Sequence, residues 1–264
     1  MLRLTILAAV AATGLAASAQ APPPGPILAY DLPLPFAGAL LSLPARDAAE
    51  ALRGVAIVVP DLAGPDGRAA PYVEALLRQG IAALEIATDP DDTAGPDIEA
   101  TLVAARQALE HDRRFARLPV VLLGFGDGAR VALAWAGAVP VAAVYPRCAS
   151  VPALPPAEDT AGQAPLLLLH PAADATDRPG ACARLVDGFG PGGFRHAYDQ
   201  ATPGWDIPPV GAVVGPTRHE RDLGLRHLPL YRAAVAADAA RRAAWFLDAA
   251  IEGAGPWAPP EDSF

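Results

Sequence analysis

The feature that most constrains this chain is an alternation of short, unbroken apolar runs with stretches of helical spacing. Val55–Val59, Ile81–Ile86, Val120–Leu123, Val141–Tyr145 and Leu166–Leu169 have strand length and end near turn residues such as Pro60-Asp61. Runs of this kind suit strands buried on both faces. Pro71 fits the first turn of a helix running to Gln79, which Gly80 stops. Asp97 to His111 places Ile98, Leu102, Ala105 and Leu109 on one helical face. Ala129 to Ala136 is helical, and a last helix over Tyr231–Ile251 aligns Val235, Ala239, Ala243, Phe246 and Ala250 before Gly253. The alternation predicts one α/β domain: a mostly parallel central sheet, helices on both faces, and no separate cap domain. Ligands on such sheets lie outside the carboxyl ends of the strands. The informative loops therefore follow Val59, Leu123, Tyr145 and Leu169, with the segment near Phe194.

The 264 residues suffice for a single domain with a sizeable core. Arg3, the apolar stretch Leu4–Leu15 and the small residues Ala17-Ser18-Ala19 read as a signal peptide over 1–19, the alternative being a retained anchor. The mature chain, 20–264, is then exported, periplasmic or secreted, and Pro22–Pro26 reads as a linker. The charge is acidic, 20 Lys+Arg against 29 Asp+Glu, and every cation is arginine. Such a balance argues against nucleic-acid partners and, after signal cleavage, against membrane binding. Cys148 and Cys182 are the two cysteines. Export favours a disulfide, two buried thiols being the alternative. Neither cysteine has a Cys or His neighbour at metal-ligand spacing, so no metal and no cofactor is expected.

One turn stands out. In Leu118–Ala136, LPVVLLGFGDGARVALAWA, a buried strand runs through a glycine-rich turn into a helix. This is the context of a hydrolase nucleophile elbow, in which small residues flank the attacking one because strand and helix pack closely. With Gly124 and Gly128 as the small residues, the nucleophile position falls on Gly126, which has no side chain. The mature chain has three serines, Ser42, Ser150 and Ser263, none in a glycine-flanked turn. Asp127 could attack if the register shifts by one; otherwise it is a carboxylate favoured by the helix dipole.

The strand, elbow and helix resemble those of the dienelactone hydrolase group of α/β-hydrolases, and further matches follow in order. Val144-Tyr145-Pro146-Arg147-Cys148 resembles the strand end Y-P-G-C of exported members. Leu166–Leu169 with Asp174, Thr176 and Cys182 resembles the strand and loop of the acidic triad member. Arg195-His196-Ala197-Tyr198-Asp199 resembles the histidine segment Y-H-G-F-D, and Ala236–Ala239 before Trp245-Phe246-Leu247 resembles the closing helix. The resemblance implies Asp174 as acid, with Asp177 the alternative, His196 as base, and a Cys148–Cys182 disulfide. It also implies that the loop after Val59 supplies an oxyanion N–H. Here that loop reads Pro60-Asp61-Leu62: Pro60 has no N–H, Asp61 adds a carboxylate, and Leu62 could still donate. Asp61, Leu62 and Phe125 would border the pocket.

Three functions follow. The chain is a relative without normal ester or lactone hydrolysis whose pocket binds a small molecule (an ester, lactone or carboxylate) or a protein partner. Alternatively it is an active ester or lactone hydrolase using Asp127 or a water activated by His196. Finally, it could be a scaffold with a closed pocket. His170, at a strand end, reads as a hydrogen-bonded core residue or pocket wall. Trp205 and Phe194 read as core or pocket aromatics, and Thr217–Asp222 with His227 as a solvated charged loop.

Overall fold

The computed structural model describes residues 28–33, 38–44, 52–61, 67–87, 97–152, 154, 163–174, 177–208 and 230–253. The signal segment, the Pro22–Pro26 linker, Leu62, Thr176, the Thr217–His227 charged loop and Ser263 lie outside the described residues. Eight strands form one sheet: β1 (Leu28–Pro33), β2 (Gly38–Leu43), β3 (Gly54–Val59), β4 (Ile81–Ile86), β5 (Val120–Phe125), β6 (Val141–Val144), β7 (Leu166–Pro171) and β8 (Gly193–Tyr198). Their order is β1-β2-β4-β3-β5-β6-β7-β8. β1 and β2 pair antiparallel, as do β2 and β4, and every other neighbouring pair is parallel.

The five helices are α1 (Ala70–Arg78), α2 (Ile98–His111), α3 (Gly126–Leu133), α4 (Ala181–Phe189) and α5 (Ala233–Glu252). They cover both faces, as the alternation predicts. Ile98 and Leu102 of α2, Ala132 of α3 and Leu185 of α4 pack with Val55, Ile57 and Leu122 on one side. Tyr72 and Leu76 of α1 and Ala239 and Phe246 of α5 pack with Val58, Leu123 and Leu169 on the other. β3 to β7 thus contribute side chains to both layers, which is why their runs read as largely apolar. Pro71 lies in the first turn of α1, and the Asp97 carboxylate caps α2 by accepting from Ala100 N at 2.9 Å.

Three differences from the sequence reading have local causes. β1, β2 and β8 are additional strands; prolines punctuate the β1–β2 region and obscure its period, and β8 mixes Arg195 and His196 with its apolar residues. α3 begins at Gly126, earlier than Ala129, because the elbow is itself the first helical turn and glycine's poor helix propensity conceals it. α4, nine residues carrying Gly188, is an additional short amphipathic helix. Cys148 and Cys182 form a disulfide, Cα–Cα 5.0 Å, tying the turn after β6 to α4.

Candidate functional site: an elbow filled by an aspartate

β5 runs directly into α3 at the elbow, and the glycines there are set by space. A Cβ on Gly124 would lie 2.6 Å from Ala129 Cα, and one on Gly128 would lie 2.1 Å from the Pro60 carbonyl oxygen. Both contacts are with backbone, so nothing can give way. Gly126 has φ +53°, the left-handed conformation that holds a residue out at the apex of such a turn.

The space over Gly126 is taken. A Cβ built there would lie 2.5 Å from Asp61 Oδ2 and 2.9 Å from Asp61 Oδ1. Asp61 follows β3 by two residues, and its carboxylate leans across the apex where a nucleophile's side chain would stand. Asp127 N–H, the first donor after the nucleophile position, donates to Asp61 Oδ1 at 3.3 Å. Arg68 Nη1 donates to Asp61 Oδ2 at 3.1 Å and to Tyr145 Oη at 3.1 Å, with the guanidinium nearly buried.

Behind Arg68 the network continues inward. Tyr145 Oη donates to Asp206 Oδ1 at 2.6 Å, and Tyr72 Oη donates to Oδ2 at 2.8 Å. Burial pushes the Asp206 carboxyl up to about 6 against the pull of Arg68 and the two tyrosines. Burial likewise raises both phenols well above their ordinary range, so they stay protonated and act as donors. Trp205 stands edge-on to Tyr145, centroids 4.9 Å apart, and Phe125 edge-on to Tyr72 at 4.9 Å. Tyr145 and Arg147, both at positive φ (41° and 51°), flank this network at the end of β6. Such conformations cost about 1–3 kcal/mol each and persist only where the surroundings enforce them.

The other expected site residues lie elsewhere. The Asp127 carboxylate, 7% exposed, pairs with Arg130 Nη1 at 2.8 Å and with Arg147. His196 lies inside β8, in register with Leu169, which faces Val144, which faces Phe125. Three strand spacings put it roughly 14 Å from the elbow strand. Its ring packs edge-on against Tyr198, centroids 4.6 Å apart. Burial, then the Arg242 guanidinium, lowers its pKa, with Asp238 opposing. Asp174 follows β7 and is among the charges acting on His170. His170 Nδ1 lies 2.7 Å from the Pro171 carbonyl oxygen, while its buried Nε2 has no partner among the described residues. Asp177 accepts from Ala149 N–H at 2.9 Å beside the disulfide. The sheet register keeps His196 three strands from the elbow strand.

A cavity of about 220 Å³ opens beside the elbow, over the carboxyl ends of β3 and β4. Leu40, Val58, Ile86 and Phe125 form apolar walls, and Asp61, Arg68 and Glu85 contribute the charged groups.

No protein-family model and no curated protein matches this chain. Solved structures do. The dienelactone hydrolase of Anabaena variabilis is similar at TM-score 0.52 and 18% identity, over 71% of this chain and 91% of that one. An α/β-hydrolase enzyme from a Medee basin deep-sea metagenome library reaches 0.58 at 13% identity, over 86% and 98%. An α/β serine hydrolase without lid from Xanthomonas campestris reaches 0.50 at 18% identity, over 69% and 88%. The fold is that of the α/β-hydrolases. The likeness to dienelactone hydrolases read from the sequence holds at the level of fold.

On an α/β-hydrolase sheet the loop after the last strand can return toward the elbow, and here it does. Residues 199–208 fold back to place Trp205 on Tyr145 and Asp206 between two tyrosines. The segment from Asp199 to Pro208 contains no histidine. Acyl transfer needs an attacking atom, a base in reach and an N–H left for the developing oxyanion. At this elbow Gly126 offers no attacking atom. Asp127 N–H already faces a carboxylate, and what the described part of the last loop, residues 199–208, delivers is a buried acid. Arg68, Tyr72, Tyr145, Asp206 and Glu85 were not singled out in the sequence as site residues. The pairing of Asp61 with a cation seven positions on, and the acid following Trp205, were the available signals.

Proposed function

We propose that this chain is an exported, single-domain α/β-hydrolase-fold protein without normal ester or lactone hydrolysis, retaining the cavity beside its elbow as a small-molecule site. The observation that carries this reading is the Asp61 carboxylate over Gly126, fixed by Asp127 N–H and Arg68. It fills the place of the nucleophile and puts negative charge where an acyl-transfer site must stabilise it. The ion pairs of Asp127 with Arg130 and Arg147 leave that carboxylate oriented as a structural anion. They also speak against the alternative of attack by Asp127. The distance of His196 from the elbow strand speaks against a water activated by His196 and attacking there. Export is supported by the signal-like first 19 residues and by the disulfide. No helix among the described residues is long and apolar enough to cross a membrane.

The test is an esterase and lactonase screen of the purified mature chain with p-nitrophenyl acetate and small lactones, paired with labelling by a fluorophosphonate. Rates indistinguishable from buffer and no label are expected. Turnover that disappears in Asp61→Asn, Asp127→Asn or His196→Ala would overturn the reading and identify the group responsible.

A further inference from the structure

We infer that the cavity beside the elbow takes a small organic cation, an ammonium or guanidinium on a short apolar body, with Glu85 as its counter-ion. This rests on the reading above that the cavity is a ligand site. It adds the ligand's chemical class.

The argument is one of charge inside an apolar space. Of the three charged groups on the walls, two already satisfy each other: Arg68 donates to Asp61 at 3.1 Å. Glu85 is different. It comes up on β4 on the same face as Ile81 and Ala83, the face covered by α1, and its side chain reaches the cavity instead of the core. It has no hydrogen bond or ion pair with any described residue, and burial alone raises its carboxyl pKa. A carboxyl held among apolar walls without a partner is unfavourable, and a cation entering the cavity restores the missing interaction.

Among the described residues on the cavity walls, Arg68 is the one cation, and it donates to Asp61. Between Arg78 and Arg106 the sequence carries Glu85, Asp89, Asp91, Asp92, Asp97 and Glu99 and no arginine or lysine. The whole chain is acidic, with formal net charge −9, which draws cations toward it and repels anions. An anionic ligand meets a second obstacle. The elbow N–H that would donate to its oxygen already donates to Asp61, and the Arg68 guanidinium that would pair with it is engaged by the same carboxylate. The ester, lactone or carboxylate expected from the sequence is therefore a poorer match to these walls than an amine. The size of the space sets the apolar part. At about 220 Å³ it lies below the roughly 300–1,000 Å³ typical of pockets for drug-sized ligands. The body is thus a short alkyl or single-ring group facing Val58, Ile86 and Phe125.

The experiment compares cyclohexylammonium, cyclohexanol and cyclohexanecarboxylate at neutral pH on the purified mature chain. Affinity is read by titration NMR, with the amides of Gly67, Ala69 and Ala87 reporting the cavity. The ammonium is expected to bind at these amides, at least tenfold more tightly than the alcohol, and the carboxylate not at all. Glu85→Gln, which keeps the shape and removes the charge, is expected to cost the ammonium tenfold or more and leave the alcohol unchanged. Equal or tighter binding of the alcohol or carboxylate overturns the cation inference and leaves the ligand-site reading standing. An ammonium affinity unaffected by Glu85→Gln does the same. No shift at these amides with any of the three overturns both.

Discussion

Asp206 is 1% exposed and accepts hydrogen bonds from Tyr72 and Tyr145, yet its carboxyl still titrates near 6. Burial outweighs the two donors and Arg68, so the folded state holds this proton more tightly than the unfolded chain, where the ordinary value is 3.8. The sign follows from linkage: the native state binds the extra proton between about pH 4 and 6, and stability from this group grows as pH falls through that window. It is flat above 6 and, once both states are protonated, flat again at low pH. The full contribution is on the order of 3 kcal/mol. Denaturant unfolding at pH 7, 5.5 and 4.5 should therefore show wild type gaining stability relative to Asp206→Asn as pH falls. A wild-type minus variant difference that stays constant over this range would show that Asp206 carries no such proton. Little of this was readable in the sequence, where Asp206 is one acid among many. Its role comes from a loop folding back to place it against side chains more than sixty positions away.

At the scale of one element, the elbow was the most legible part of the chain. Its glycines follow from steric contacts between consecutive pieces of backbone, and such contacts leave a local pattern in the sequence. The Gly126 vacancy was legible for the same reason. What filled it was not, because Asp61 comes from a different strand. Restoring a nucleophile is therefore more than replacing one glycine. In Gly126→Ser the new Cβ would fall 2.5 Å from Asp61 Oδ2 on a backbone at φ +53°. Strain and the displaced carboxylate should together cost roughly 2–4 kcal/mol. The same substitution in an Asp61→Ala background should cost at least about 1 kcal/mol less, a coupling that a double-mutant cycle measures directly. Strictly additive effects would mean that Asp61 does not occupy the space above residue 126. Neither variant is expected to gain esterase activity, because His196 stands three strands from the elbow strand, and Arg68 and, in the single variant, Asp61 occupy the space beside residue 126.

For the whole molecule, the disulfide between Cys148 and Cys182 spans a sequence separation of 34 residues and joins the end of β6 to α4. Closing a loop of that length stabilises the fold by about 4 kcal/mol in the chain-entropy model. Unfolding of the mature chain with and without reductant, or of a double Cys148→Ser/Cys182→Ser variant, should differ by about that amount. A difference near zero would mean the pairing does not constrain the unfolded chain. The sheet itself was largely foreseen, since a strand buried on both faces is apolar at nearly every position, and β3 to β7 carry that signature apart from Glu85 and His170 near two strand ends. β1 is the edge strand and β2 lies next to it, and β2 alternates buried Ala39 and Leu41 with exposed Gly38 and Leu40, without the continuous burial of β3. β8 at the other edge mixes Phe194 and Tyr198 with Arg195 and His196.

By itself the sequence determined the α/β architecture and the lack of a side chain at Gly126, and it favoured pairing of the two cysteines. The first two follow from local composition, apolar runs and a glycine spacing, whereas the pairing rested on export and on the family resemblance. Only the tertiary structure decided what stands around that vacancy. It brings Asp61 from the end of β3, Arg68 from the turn before α1, Glu85 from β4 and Asp206 from the last loop to one end of the sheet. It leaves His196 roughly three strands away. The physical reason is that charge compensation acts through space. A carboxylate is a nucleophile's substitute, a ligand contact or a buried acid according to the cation, donor or empty cavity next to it, and sequence spacing does not record those neighbours.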